Sequence, residues 1–257
     1  DYAWYLADVI GPRLAGSDAM RESQEWAKAE MDAIGLVKTS LEPFGEPVVN
    51  WDVEYVALSM LEPDYQPLIG FPQAFTSGTG GRVQAPVVVA DVRSRSDLDT
   101  YRGRLRDTIV LSTPPRDYAP RFEPAAVRHD EQSLKVFVEE GIDRNIAARR
   151  EEAWARNPPS IEDLSWQDIE EFYREEGVVA VLVAAQGGDG TVFVTRRRDR
   201  SIEAISNSLP TLSMAPEHYG RMYRLASRDV PVTMQVEVRV KLQSRPDPEY
   251  NVVGELP

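Results

Sequence analysis

The sequence predicts an α+β fold in which a β-rich module lies between a helical opening segment and a closing run of strands. Three observations carry this expectation: helical spacing of apolar residues within 11–36, short β-branched runs between Phe44 and Pro115 parted by Gly, Pro and Ser, and one long alternation from Val232 to Leu242.

The opening helix is delimited from both ends. In GPRLAGSDAMRESQEWAKAEMDAIGL, Ser17 or Asp18 is placed as the N-cap, Ala27, Met31 and Ile34 share a face, and Gly35 follows as the stop. VEYVALSM, APVVVADV and DTIVLS then read as strands. Among the turn clusters between them is TSGTGG, which is Thr76, Ser77, Gly78, Thr79, Gly80 and Gly81. It could be a simple turn or a phosphate loop, but no helix follows whose N-terminus would hold an anion, and the turn is preferred.

From Arg116 to Glu176 the text is charged and helix-prone, with IDRNIAARREEAWARN and SWQDIEEFYREEG as the clearest pieces. Ser165 and Asp168 form a capping-box pattern with Asp in place of Glu, ahead of a stripe made by Trp166, Ile169 and Tyr173. GVVAVLVAAQ reads as a buried strand, GGDG as a turn and TVFVT as a second strand. A short helix follows in APEHYGRMYRLAS, where Pro216 suits the first turn and Met222 and Leu225 lie on one side. In the last long strand Val232, Met234, Val236, Val238, Val240 and Leu242 alternate with polar residues, and its sequence neighbour YNVVGEL is the expected sheet partner.

Charge and composition exclude several functions. With 42 acidic against 29 basic residues the net charge is −13, and no basic stripe is available to displace the counterions of nucleic acid. Arg196 to Arg200, RRRDR, is the one dense basic cluster, read as a solvated hairpin tip with an anion site as the other option. The chain contains no cysteine, which removes disulfides, thiol nucleophiles and Cys-ligated zinc. No apolar run approaches the length of a membrane span. The chain starts at Asp1 rather than Met, as a trimmed product does, which favours a secreted or periplasmic protein over a cytoplasmic one.

Catalytic motifs are not announced. There is no Gly-x-Ser-x-Gly, no Walker loop, no Asp-Thr-Gly and no His-Glu-x-x-His. The two histidines, His129 and His218, each lack a spaced ligand partner, so surface or capping roles are preferred to metal ligation. Carboxylate pairs such as Asp168 with Glu171 have the spacing of a solvated helix face, and no acid/base pair stands out.

The two ends of the chain, taken together, resemble a known family. GPRLAGSDAMRESQEWAKAEMDAIGL at the start, with LPTLSMAPEHYGRMYRLASRDVPVTMQVEVRVKL and YNVVGELP at the end, resembles the zinc aminopeptidase family that includes glutamate carboxypeptidase and the transferrin receptor. YRGRLRDTIVLS, EEGVVAVLVAAQ and LPTLSMAPEHYGRMYRL look like the protease-associated domain often inserted in those enzymes. The likeness spans nearly the whole chain, weakest from Arg116 to Pro159, and rests on the order and spacing of the pieces rather than on a ligand signature.

The resemblance implies an organisation and a function. Residues 1–45 and 231–257 would be the opening helix and early strands of an incomplete α/β peptidase domain, with 46–230 as the protease-associated insert. The whole enzyme would hold two zinc ions and act on peptides, with zinc-activated water and a carboxylate base. The family's first ligand motif, His-x-Asp, follows the NVVGELP-like strand, so no catalytic or metal residue carries over to this chain. The insert would cover or shape the substrate cleft, with Thr76 to Gly81 as a substrate-access loop. The other option is a receptor-like or stand-alone interaction module without peptidase activity. Either the two ends pack on each other or the chain self-associates, because their apolar faces lack the rest of the peptidase domain.

Overall fold

The computed structural model describes residues 2–45, 49–115, 122, 128–140, 164–185, 191–195, 199–244 and 248–257. A first helical segment, α1 (Tyr2–Trp4), runs on as a π-helix over Tyr5–Ile10. Helix α2 (Asp18–Ala33) starts where Ser17 accepts from Met20 N–H, and ends in a Schellman turn. There Leu36 N–H reaches Met31 O, Gly35 N–H reaches Asp32 O, and Gly35 takes φ +93°. Its buried face is not the expected apolar stripe. Ser23 and Gln24 are buried, and Gln24 Nε2 donates to Tyr250 O at 2.9 Å, while Ile34 stays 62% exposed.

The two ends of the chain do pack on each other. Strand β1 (Val37–Phe44), which the sequence reading missed within a segment expected to be helical, pairs antiparallel with β10 (Glu249–Glu255), Leu41 opposite Val252. Helix α2 lies against this ribbon, with the Arg21 guanidinium 4.3 Å from the Tyr250 ring centre.

The remaining strands form one mixed sheet. In chain order they are β2 (Val49–Glu62), β3 (Gln66–Pro67), β4 (Gly70–Pro72), β5 (Val83–Val89), β6 (Ile109–Leu111), β7 (Ala180–Ala184), β8 (Thr211–Met214) and β9 (Thr233–Ser244). Their spatial order is β3-β2-β9-β5-β6-β7-β8-β4. β5 to β8 are parallel and the outer pairs antiparallel. β6, β7 and β8 are buried on both sides, and β6 and β7 read as continuous apolar runs, whereas β5 exposes Gln84 and Pro86.

β9 does not take the partner expected for it. β9 pairs along its length with β2 (Val56 opposite Val238) and at its start with β5 (Ala85 opposite Met234), not with YNVVGEL. β2 takes one edge of β9 along its length and β5 the start of the other, and β10 pairs instead with β1. The strand thus belongs to the same sheet as residues 49–62, while β10 belongs to the terminal ribbon.

Helix α3 (Arg95–Tyr101) links β5 to β6, and α4 (Glu131–Glu140) and α5 (Trp166–Glu176) precede β7. Helix α6 (Ile202–Ser206) leads into β8, and α7 (Pro216–Ala226) follows it with proline in its first turn. The Ser165–Asp168 capping box forms as read, and Ser94 with Asp97 makes a second one at α3, a helix the sequence reading missed.

Side chains divide by strand alternation. Ile109, Leu111, Leu182 and Leu212 join Tyr219 and Met222 of α7 on one face; Val110 and Val181 join Ile169, Phe172 and Tyr173 of α5 on the other. Each such side chain contributes roughly 1.5–3 kcal/mol by leaving water. A third small cluster, Trp51, Ala74, Phe75 and Ile205, packs against Leu14 and so ties the N-terminal flank to the sheet.

TVFVT does not form the expected strand. Phe193 makes a single bridge and is 61% exposed, because β7 already has parallel neighbours on both edges and cannot take a hairpin partner. The GGDG turn, the IDRNIAARREEAWARN helix and Arg196 to Arg198 lie outside the described residues.

Candidate functional site

The loop from Thr76 to Gly81 joins β4 to β5 and is fixed by partners distant in sequence. Thr76 is 1% exposed, its hydroxyl donates to Gln73 O, and its carbonyl accepts from Trp51 Nε1 at 2.8 Å. Ser77 N–H donates to Ser208 Oγ at 2.9 Å and Ser77 Oγ to Ser208 O at 2.6 Å. Thr79 N–H donates to Val238 O, and Thr79 Oγ1 accepts from Val238 N–H. A Cβ on Gly78 would stand 2.6 Å from Val238 O, so only glycine lets the loop lie this close to β9.

These bonds leave Ser77 and Thr79 with their hydroxyls committed. What the loop presents outward is the backbone around Gly80 (φ +67°) and Gly81 (φ +134°), with Gly80 exposed. Such a loop can wall a cleft or offer backbone groups to an extended peptide; it has no free nucleophile. Phe75 immediately before it is buried at φ +64°, a conformation that bulky residues rarely take, held by the Trp51 ring 5.9 Å away.

A polar joint binds the N-terminal flank to the two longest strands. Asn50, fully buried, directs Nδ2 to Gly16 O at 2.9 Å and to Asp52 Oδ2 at 2.8 Å. Asp18 N–H donates to Asp52 Oδ2 at 3.1 Å, and Lys241 Nζ donates to Asp18 Oδ2 at 2.7 Å. The Gly-Ser-Asp run at the helix start is therefore a structural connector as well as a cap.

The carboxyl ends of the parallel strands carry polar groups that the sequence reading passed over. Arg93 holds Asp91 in a forked pair, with Nη2 to Oδ2 at 2.6 Å, which raises the guanidinium pKa further. Tyr173 donates to Ala90 O at 2.8 Å, and Thr113 N–H donates to the Tyr219 hydroxyl at 3.1 Å. Burial drives both phenols far above their ordinary pKa, so they act as neutral donors. The available signal was the apolar run ending in Ala90-Asp91, since sheets of this kind present their functional edge at the carboxyl ends of parallel strands.

The histidines do not come together as a metal site. His129 lies exposed ahead of α4, and His218 in the first turn of α7 accepts from Ile69 N–H through Nδ1 at 2.9 Å. Among the described residues, no three His, Cys, Asp or Glu side chains are grouped to hold a metal ion. The described residues do not fit a two-zinc centre. Nor, among them, is any helix long and apolar enough to cross a membrane.

The sequence matches no protein-family model and no curated protein. The fold does have solved counterparts. A peptidase M28 precursor from Shewanella amazonensis is similar at a TM-score of 0.58 and 20% identity, over 98% of this chain and 48% of that one. BSAP, a zinc aminopeptidase from Bacillus subtilis, is similar at 0.50 and 13%, over 98% and 45%. An aminopeptidase from Aneurinibacillus sp. strain AM-1 is similar at 0.50 and 12%, over 98% and 46%. The chain thus spans about half the length of the structures it matches, and at these identities the likeness shows a shared mixed α/β fold.

Proposed function

We propose that this chain is the front, non-catalytic part of a zinc-dependent aminopeptidase, in which the eight-stranded sheet and its helices form a protease-associated lobe over the substrate cleft. The observation that carries this reading is the likeness of fold across 98% of the chain to a peptidase M28 precursor about twice as long. The zinc ions would be held by the rest of the enzyme. This chain contributes shape: a terminal ribbon with α2 that belongs with the peptidase domain, and a lobe held to it through Asn50, Asp18 and Lys241. Peptide substrate would meet the lobe at the backbone of Gly80 and Gly81, on the loop fixed by Val238 and Ser208. Export to the periplasm or the exterior accords with this role.

The test is to delete Thr76 to Gly81 from the natural gene product and measure kcat/KM across a panel of peptides differing in their first residues. A changed order of preference with the metal content intact is expected. Unchanged kinetics across the panel would remove the loop from the cleft, and absence of peptidase activity in the undeleted product would favour the receptor-like module.

A further inference from the structure

We propose that closure of the eight-stranded sheet by residues 66–72 is sensitive to pH, with His218 as the group that takes the proton. This inference does not depend on the peptidase reading. The outermost strands, β3 and β4, are consecutive in the chain, and Leu68 and Ile69 between them run from one edge of the sheet to the other. Leu68 N–H donates to Leu58 O at 3.0 Å on the β2 side, and Ala215 N–H donates to Ile69 O at 2.9 Å on the β8 side. Ile69 N–H is held by His218 Nδ1 at 2.9 Å. A backbone N–H can only donate, so this ring nitrogen carries no proton in the closed state.

Uptake of a second proton by the imidazole turns both ring nitrogens into donors. The contact then sets N–H against N–H, and the strap loses the bond at its centre. The charged groups of the elements meeting here include Glu62 and Asp64 from the strap side and Glu217, Arg221 and Arg224 from α7. Arg221 donates to Asp64 Oδ1 at 2.6 Å and also to Gln66 Oε1, so Asp64 is already engaged by a cation. Arg221 stands three residues after His218 on α7, where a second positive charge is disfavoured. Because the closed state requires the neutral ring, the strap holds while the imidazole is uncharged and loosens when it takes up the proton on acidification.

The strap lies directly on the apolar interior. A Cβ on Gly70 would stand 2.5 Å from Met214 Sδ and 2.8 Å from Leu58 Cδ1, and Leu68 is itself buried. Loosening the strap therefore gives water access to Leu58 and Met214, while the pairing of β6 with β7 is untouched.

Amide hydrogen exchange on the whole chain, followed by NMR between about pH 7.5 and about pH 5.5, tests this. Relative to intrinsic rates, protection at Leu68 and Ile69 is expected to fall by about tenfold on acidification. Val110 and Val181 should keep theirs. His218→Asn sets an amide oxygen near the position of Nδ1 and cannot titrate, so its strap protection should not respond to pH. The Ile69 amide shift should also titrate together with the His218 ring in the unaltered chain, which serves if the variant does not fold. Constant protection at Ile69, an equal fall in His218→Asn, an equal fall at Val110 and Val181, or an Ile69 shift that does not follow the ring would each overturn the proposal.

Discussion

Thr79 and Val238 exchange two hydrogen bonds across 159 residues of sequence: Thr79 N–H donates to Val238 O at 3.0 Å, and Val238 N–H donates to Thr79 Oγ1 at 2.9 Å. A threonine side chain here completes the ladder of β9 where the strand would otherwise present a free edge. Replacing Thr79 with Val keeps the shape and removes the acceptor, and should lower stability by about 1–2 kcal/mol, whereas Thr79→Ser should stay within about 0.5 kcal/mol. Urea unfolding of the two variants checks this.

Gly78→Ala is expected to be at least as damaging as Thr79→Val, because the atom in the way is the backbone oxygen of Val238, 2.6 Å from the added Cβ, and not a side chain that can turn aside. A loss of about 1–3 kcal/mol is expected in the same assay.

The joint at Asn50 should be sensitive to charge. Asn50→Asp sets a carboxylate oxygen against Gly16 O and the Asp52 carboxylate in a site with no exposure, and should cost about 2–4 kcal/mol. Lys241→Met removes a partly exposed ion pair and should cost less than about 1 kcal/mol. Thermal denaturation of both separates the buried amide from the solvated pair.

The two capping boxes give an acid dependence of known sign. Hydrogen bonds from the Arg93 and Ser94 backbone N–H groups hold the Asp97 carboxyl below its ordinary pKa, as do the hydroxyl and N–H of Ser165 for Asp168. A depressed carboxylate stabilises the fold above its unfolded pKa, and this is lost as pH falls through the folded value. The gap in melting temperature between the parent chain and Asp97→Ala/Asp168→Ala should therefore be present at about pH 6 and narrow as pH falls below the ordinary aspartate range.

Tyr173→Phe should cost about 1–2 kcal/mol, since Ala90 O would be left buried without its donor. Burial raises the Tyr173 and Tyr219 phenols, so their contribution is present below the ordinary tyrosine pKa and is lost as pH rises above it. Phenolate absorbance should show these two titrating only as the chain unfolds in alkali.

What was legible in the sequence was what local chemistry decides. The Ser165–Asp168 box, Pro216 and the alternation of 232–242 each mark an element by contacts within a few residues and form as read, and of the two cap candidates Ser17 and Asp18 it is Ser17 that caps. The partner of β9 was not legible, because its register is set by β2 some 180 positions earlier and by which edges the sheet leaves open. β1 escaped notice for the same reason: VKTSLEPF has no clean alternation, and pairing with β10 makes it a strand. TVFVT has strand propensity but no free edge to join. Of the candidate loop, composition gave the turn; its attachment to Val238 and Ser208 and the role of His218 at the strap depend on residues brought together only by the fold.

The most direct measurement is zinc content and aminopeptidase activity on aminoacyl anilides, made in parallel on the natural gene product and on residues 1–257 alone. The peptidase reading predicts about two zinc ions per chain and peptide-bond cleavage in the natural product, with neither in residues 1–257. A natural product that holds no zinc and cleaves nothing, or residues 1–257 cleaving on their own, would contradict it.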